Sequence, residues 1–503
     1  MDDSPKRRRV LLLELNEITS TILDPLLARG RLPHFQRLRR EGAWALPDSV
    51  ERPPHLDPWV TWVTVHTGVD RRVHGATVLE QDAATINARS TWDYATEAGR
   101  SIGVFGSIGA HPPRQVPGFM VPGPFSPTSA TFPAYLEPVQ DLNRAYTQVH
   151  ARNKGPEPFT AMLRRGLDVA RLGLTARTAA IIAGQLARER VDAHARYRRV
   201  LLQPRVNYDV FAELYRRYRP DYATWHTNHA AHLMHHYWRA MDDSRFLAPS
   251  PPDEKRWYGG AVEEGYTLCD ELLGRFMRLV DASTTLVVAS SMGQQPYVAE
   301  LFPEGRIVVR IRDMTRLLEI LGARGVTGAE PMMVPQWNVT IPDGAERARV
   351  KRLFQLARAE GGTLPAAFSA TEVGDTLTVS PLGQARRSAA RYFFPEAPGA
   401  RPEGYSIEEL FAVDTETPKE GMHHPRGILG LWGPGIAPGV FLEGTTNLDI
   451  APTLLWCLGV PVPEIMKGRV LVEAWRDPAQ WSPGAAPSPR AVSDAPGDLA
   501  QVA

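Results

Sequence analysis

The chain has 503 residues, more than one ordinary core holds, so a large domain with insertions or a small second domain is expected. Lys and Arg total 57 against 56 Asp and Glu, a formal charge of +1, which removes any global electrostatic reason to bind nucleic acid or an anionic membrane. The two cysteines, Cys269 and Cys457, argue against a disulfide framework or a thiolate zinc site and suit a reducing, cytoplasmic setting.

In chain order, residues 1–9 read as a basic tail, Lys6 to Arg9, before a buried strand. The apolar stretch Val10 to Leu15 that follows is too short for a signal-peptide core. Its continuous run Val10-Leu11-Leu12-Leu13-Glu14-Leu15 predicts a strand covered on both faces of a parallel sheet. A helix with Ile22, Leu23, Leu26 and Leu27 comes next. Similar strand runs recur at Ser101 to Phe105, Thr285 to Ala289 and Ile428 to Trp432, with helical patterns between them. This is an α/β layout with a mainly parallel central sheet flanked by helices. Residues 10–150, 218–306 and 421–481 are expected to build the core. Residues 151–217 read as a helical insertion and 307–420 as a small α+β cap, with strands Asn338 to Ile341 and Thr376 to Val379 around a helix from Ala345 to Ala359. Residues 482–503, rich in Pro, Ala, Ser and Asp, read as a disordered tail. No window approaches the roughly 18 apolar residues a transmembrane helix needs, so no membrane partner is expected.

In such sheets functional groups gather where strands end at their carboxyl edge. The blocks there are Leu15-Asn16-Glu17 with Gly30-Arg31-Leu32-Pro33, Pro53 to Trp62 with Thr67-Gly68 and His74-Gly75, and His111 to Pro127. Further on come Pro220-Asp221 with His235 to Arg239, Gly421-Met422-His423-His424-Pro425-Arg426-Gly427, and Asp449 to Leu455. In this order they resemble the type I phosphodiesterase/nucleotide pyrophosphatase branch of the alkaline phosphatase superfamily, over about two-thirds of the chain.

The resemblance implies an alkaline-phosphatase-like fold and displacement at phosphorus or sulfur, assisted by two divalent ions and a Thr or Ser nucleophile. It assigns one ion to an Asp and a His four apart on a helix plus a late His. His235 and His423 match, but the Asp position reads Ala231. The second ion would take positions that read Asn16, Ser291 and Met292, and a thioether does not replace imidazole for a borderline ion. The nucleophile position falls on Pro58 or Leu56, depending on which block is matched.

The residues also speak for themselves. His226, His229, His232, His235 and His236 fall within eleven positions; on a helix His229, His232 and His236 share a face, and Asn228 with His232 repeats a four-residue spacing. One divalent ion, zinc on this donor chemistry, is expected on His235 or His232, His236 and His423, with Glu17 or Asp57 as carboxylate and Asn16 as a further ligand candidate. A buried polar network is the plainer reading of the same histidines. Glu14 and Glu17 bracket Asn16 where a carboxylate must be paired or ligating. Asp57 before Pro58 reads as a helix N-cap or a functional carboxylate. Thr61, one turn on, is a catalytic candidate beside Asp57 and Glu17, with packing as its simpler role. Ser291, Gln294, His66 and Asn228 are candidate substrate contacts. The expected function is a metal-dependent hydrolase or group transferase acting on a small phosphoester-like anion through an altered, mononuclear site. The alternative is a non-catalytic descendant that keeps the fold as a ligand-binding or scaffold module.

Overall fold

The computed structural model describes residues 8–79, 81–150, 159–298, 306–331, 335–360, 366–382 and 391–481. The basic start through residue 7 and the 482–503 tail lie outside them. The protein is α/β, built on a sheet of eight strands. In chain order these are β1 (Arg9–Leu15), β2 (Ala43–Ala45), β3 (Ile102–Phe105), β4 (Gly118–Val121), β5 (Tyr222–Thr227) and β6 (Thr284–Ala289). After a short strand β7 (Gly293–Pro296) and its partner β8 (Gly421–His424), β9 (Leu429–Trp432) and β10 (Val440–Leu442) complete the sheet. The spatial order is β10-β2-β9-β6-β1-β5-β3-β4. Strands β6, β1, β5, β3 and β4 run parallel, and β9 is antiparallel to both its neighbours.

Strand β1 is central because its alternation serves two cores at once. Leu11, Leu13 and Leu15 join one apolar cluster with Phe35, Phe211 and Phe276, while Val10 and Leu12 join another with Trp62, Leu454 and Trp456. Side chains on a strand alternate faces, so a run without polar gaps is what a doubly covered strand requires. Each fully buried leucine contributes on the order of 1.5–3 kcal/mol. Strands β5 and β6 flank β1 in register, with Leu12 opposite Thr224 and Val287. Three strand ends therefore converge at the carboxyl edge. The β7–β8 pair, with His423 opposite Gln294, is antiparallel and follows directly from that edge.

The expected helical stretch comprises helices Phe159–Ala170, Ala176–Val191 and Leu202–Tyr218. Strands between 306 and 419 form separate small sheets with their own core around Val339, Phe354 and Leu377. The helix expected over Ala345 to Ala359 runs Gly344–Leu356 instead, because Ala357 sinks into that core and Arg358–Glu360 pairs as a strand with Arg391–Phe393. The histidine segment is also not one helix. His226 lies in β5, Asn228 is the cap, and the helix begins at His229. Among the described residues no helix is long and apolar enough to cross a membrane.

Candidate metal centre

Strand β1 ends at Leu15, and the chain then turns through Glu17 with φ +60°. A glutamate in this left-handed region is uncommon and carries strain on the order of 1 kcal/mol or more. The turn brings the Glu17 carboxylate, 1 % exposed, against His235 and His423. Glu17 Oε2 is 3.2 Å from His235 Nε2, and Oε1 is 3.7 Å from His423 Nε2. One ligand atom from each of the three residues lies within 4.8 Å of the others.

Both imidazoles are oriented from behind. His235 Nδ1 donates to the Gly421 carbonyl at 2.9 Å and His423 Nδ1 to the Leu56 carbonyl at 2.7 Å. A carbonyl only accepts, so each neutral ring keeps its proton on Nδ1 and turns an Nε2 lone pair toward Glu17. Burial pushes His235 down to about 4, with Lys419 adding to the effect. Burial alone would raise the Glu17 carboxyl, but attraction to the imidazolium forms of His235 and His423 outweighs it and holds it at about 2. At neutral pH an anionic oxygen therefore faces a ring lone pair at 3.2 Å. Acceptors so placed repel unless a cation lies between them, and imidazole held through Nδ1 is the usual arrangement of a metal-ligating histidine. The donor set fits a divalent ion. Close approach is built in: a Cβ on Gly421 would stand 2.8 Å from the Met234 carbonyl, so only glycine lets this strand lie against the helix of His235.

Neighbouring residues orient the cluster. Asn16 turns its amide, not its oxygen, toward Glu17, donating to Oε1 at 2.9 Å and to Asn228 Oδ1 at 2.7 Å, while its Oδ1 accepts the Trp62 indole N–H at 2.8 Å. Asn16, a ligand candidate on the sequence, is thus placed as a support for Glu17. Gln294 donates to Glu17 Oε2 and to the Ala231 carbonyl, which commits its amide to the fold. Asp57 occupies the cap position of helix α1 (Pro58–Thr67), yet its side chain makes no cap bond; Oδ1 stands 3.3 Å from His423 Nδ1. Thr61, fully buried, hydrogen-bonds Ser291 Oγ at 2.8 Å.

Other candidates stand apart. On helix α2 (His229–Met241) the rings of His232 and His236 lie 4.6 Å apart, paired with each other and outside the Glu17 cluster. The helical face drawn through His229, His232 and His236 does not reach it, because His229 bonds Thr227 and the Gly265 carbonyl on the buried side. His66 sits by Glu14, at 3.6 Å, in a separate cluster in which His226 and Ser107 bond the same carboxylate at 3.1 and 2.8 Å. The sequence reading missed Glu420 and Arg239, which join α2 to the strand of His423. No spacing signals them, since 181 residues separate the pair.

The profile of the type I phosphodiesterase / nucleotide pyrophosphatase family matches residues 10–332. The chain belongs to this family. With it the chain takes its place in the alkaline phosphatase superfamily. Of solved structures, human ectonucleotide pyrophosphatase / phosphodiesterase 5 is similar at 10% identity over 93% of this chain and 100% of that one, with a TM-score of 0.44. Phosphonoacetate hydrolase from Sinorhizobium meliloti 1021 is similar at 15% identity over 90% and 96%, with a TM-score of 0.39. No curated protein matches the chain.

Proposed function

We propose that this phosphodiesterase-family chain is a hydrolase or group transferase for a small phosphoester-like anion, working with one divalent ion held by Glu17, His235 and His423. The single observation that carries this reading is the convergence of those three donors within 4.8 Å with both Nδ1 atoms tied to carbonyls. Two imidazoles and one carboxylate form a recurrent donor set of catalytic zinc, which keeps a position open for substrate or water. When bound, the ion supplies Lewis acidity and positive charge to an ester oxygen.

The chain's own residues do the rest. Asp57, its side chain 26 % exposed beside His423, is the carboxylate available to hold a proton from an attacking hydroxyl. The Thr61 and Ser291 hydroxyls, both buried, bond each other at 2.8 Å and tie α1 to the chain just beyond β6. Asn16 and Gln294 keep Glu17 aimed. The second cation of the family has no counterpart in this reading, because Met292 is wholly buried and the Ser291 hydroxyl is engaged. Two buried free thiols, Cys269 and Cys457, support a cytoplasmic setting.

Plasma-emission metal analysis beside phosphodiester turnover tests the proposal. Near one equivalent of zinc in wild type, much less in His235→Ala and His423→Ala, and metal-stimulated hydrolysis are expected. A wild type that binds no metal and turns over no ester would favour the non-catalytic scaffold.

A further inference from the structure

Helix α2 contains a break: Tyr237 has φ −134° and ψ 17°, outside the helical region. In a regular helix the carbonyl of residue 235 takes the amide of residue 239. At this break Glu420 meets both groups. Its own amide donates to the His235 carbonyl at 2.6 Å, and its carboxylate oxygen Oε2 accepts the Arg239 amide at 2.8 Å. Insertion of an outside group into the helical ladder is a recognised cause of such a kink.

The same two residues are joined by charge. Arg239 Nε lies 3.3 Å from Glu420 Oε1, and its guanidinium also reaches the Pro249 carbonyl at 3.1 Å and Glu254 at 3.3 Å. Glu420 and Arg239 are 4 % and 5 % exposed. A buried carboxylate is costly to keep unless its bonds serve the fold or a site. Here they lead directly to the site. The next residue, Gly421, supplies the carbonyl that holds His235 Nδ1, and two residues further β8 carries His423. On the other side the Glu420 carbonyl accepts the Tyr297 amide at 2.7 Å, extending the pairing of β8 with β7, the strand of Gln294.

We infer that Glu420 is a positioning residue that sets the separation and aim of the His235 and His423 imidazoles by clamping the kinked turn of α2 to the start of β8. The inference rests on the reading that Glu17, His235 and His423 hold a cation. Without the carboxylate, the Arg239 amide and Nε lose their acceptor in the interior, and the turn carrying His235 is held to β8 only by the Glu420 amide and the Gly421 carbonyl. Glutamine at 420 keeps an oxygen for the Arg239 amide, whereas alanine keeps none.

The test is zinc affinity, measured by competition with a chromophoric chelator, in the full chain as wild type, Glu420→Gln and Glu420→Ala. Deuterium uptake over residues 233–241 is followed in parallel. Loss of a group behind a metal ligand typically weakens affinity about 10–100-fold, and that loss is expected for alanine, with most of it restored by glutamine. Faster exchange at the kink is expected in the alanine variant alone. If Glu420→Ala does not fold, Glu420→Asp, which draws the carboxylate back by one methylene, carries the comparison. Variants that melt lower but bind zinc as tightly as wild type overturn the inference and leave the metal centre standing. Absence of zinc from the wild type overturns the metal centre and this inference with it.

Discussion

Two carboxylates three residues apart, Glu14 in β1 and Glu17 just beyond it, each face two imidazoles, and the clusters behave differently. Glu14 is sealed: it accepts the Ser107 hydroxyl and His226 Nδ1, and the side chains of His226 and His66 are 1 % and 2 % exposed. A ring proton lies on the Glu14–His226 line, so that contact is complete without a cation. Around Glu17 the ring protons point away, to the carbonyls of Gly421 and Leu56, and both histidine side chains are 16 % exposed. Identical residue types thus make an internal brace in one place and a group of open Nε2 and carboxylate donors in the other. The difference lies in which imidazole nitrogen is engaged from behind and in the left-handed turn at Glu17.

The largest expected effect separates the clusters by function. Glu17→Gln should cut bound zinc from near one equivalent to a small fraction and lower kcat/KM at least about 100-fold, consistent with the loss of a ligand or its support. Glu14→Gln should leave zinc stoichiometry unchanged. Equal metal loss in both variants would show that the two clusters do not differ in metal binding.

Stability should show the reverse. Breaking one partner of a buried ionic cluster costs about 3–5 kcal/mol, so Glu14→Gln should lower the free energy of urea unfolding by roughly that amount. For Glu17→Gln, measured on metal-free protein, the change should be much smaller, because removing its charge also relieves the repulsion from the His235 lone pair.

Acid should weaken the metal-free protein before ordinary carboxylates titrate. His74, His229 and His235 are each pushed down to about 4 chiefly by burial, against 6.5 when exposed. A depressed histidine means that the unfolded chain binds more protons between pH 6.5 and about 4, so stability falls as pH drops through that window, by at most about 3 kcal/mol per ring. Denaturant titrations at pH 7, 5.5 and 4 check the trend. A flat profile to pH 4.5 would show these imidazoles to be charged in the fold.

The smallest effect probes the turn. Glu17→Gly should remove zinc binding while changing the stability of the metal-free protein little, because the strain relieved at φ +60°, about 1 kcal/mol, offsets part of the cost of taking the Glu17 acceptor from the Asn16 and Gln294 amides. Thermal unfolding after chelation reads the change.

Much of the architecture was legible. The uninterrupted apolar run of β1 could only be a doubly covered strand, and His235 and His423 followed from the Trp238 and Gly427 blocks that resemble the family. The carboxylate was not settled, because Glu17 and Asp57 both precede helices and only the positive φ at 17 decides which carboxylate faces the Nε2 atoms. Helical spacing grouped His232 and His236 with the site, but the chain enters the helix only at His229 and kinks at Tyr237, so the face that spacing describes is not the one presented to Glu17. Glu420 lay beyond reach because its partners are contributed by backbone groups on a distant helix.

The most direct measurement is a crystal structure of the zinc-loaded protein with anomalous scattering recorded at the zinc edge. One strong peak is expected, bonded to Glu17, His235 Nε2 and His423 Nε2, at about 2.0–2.2 Å from each donor atom. A peak at Glu14, at the His232–His236 pair, or at none of these residues would contradict it.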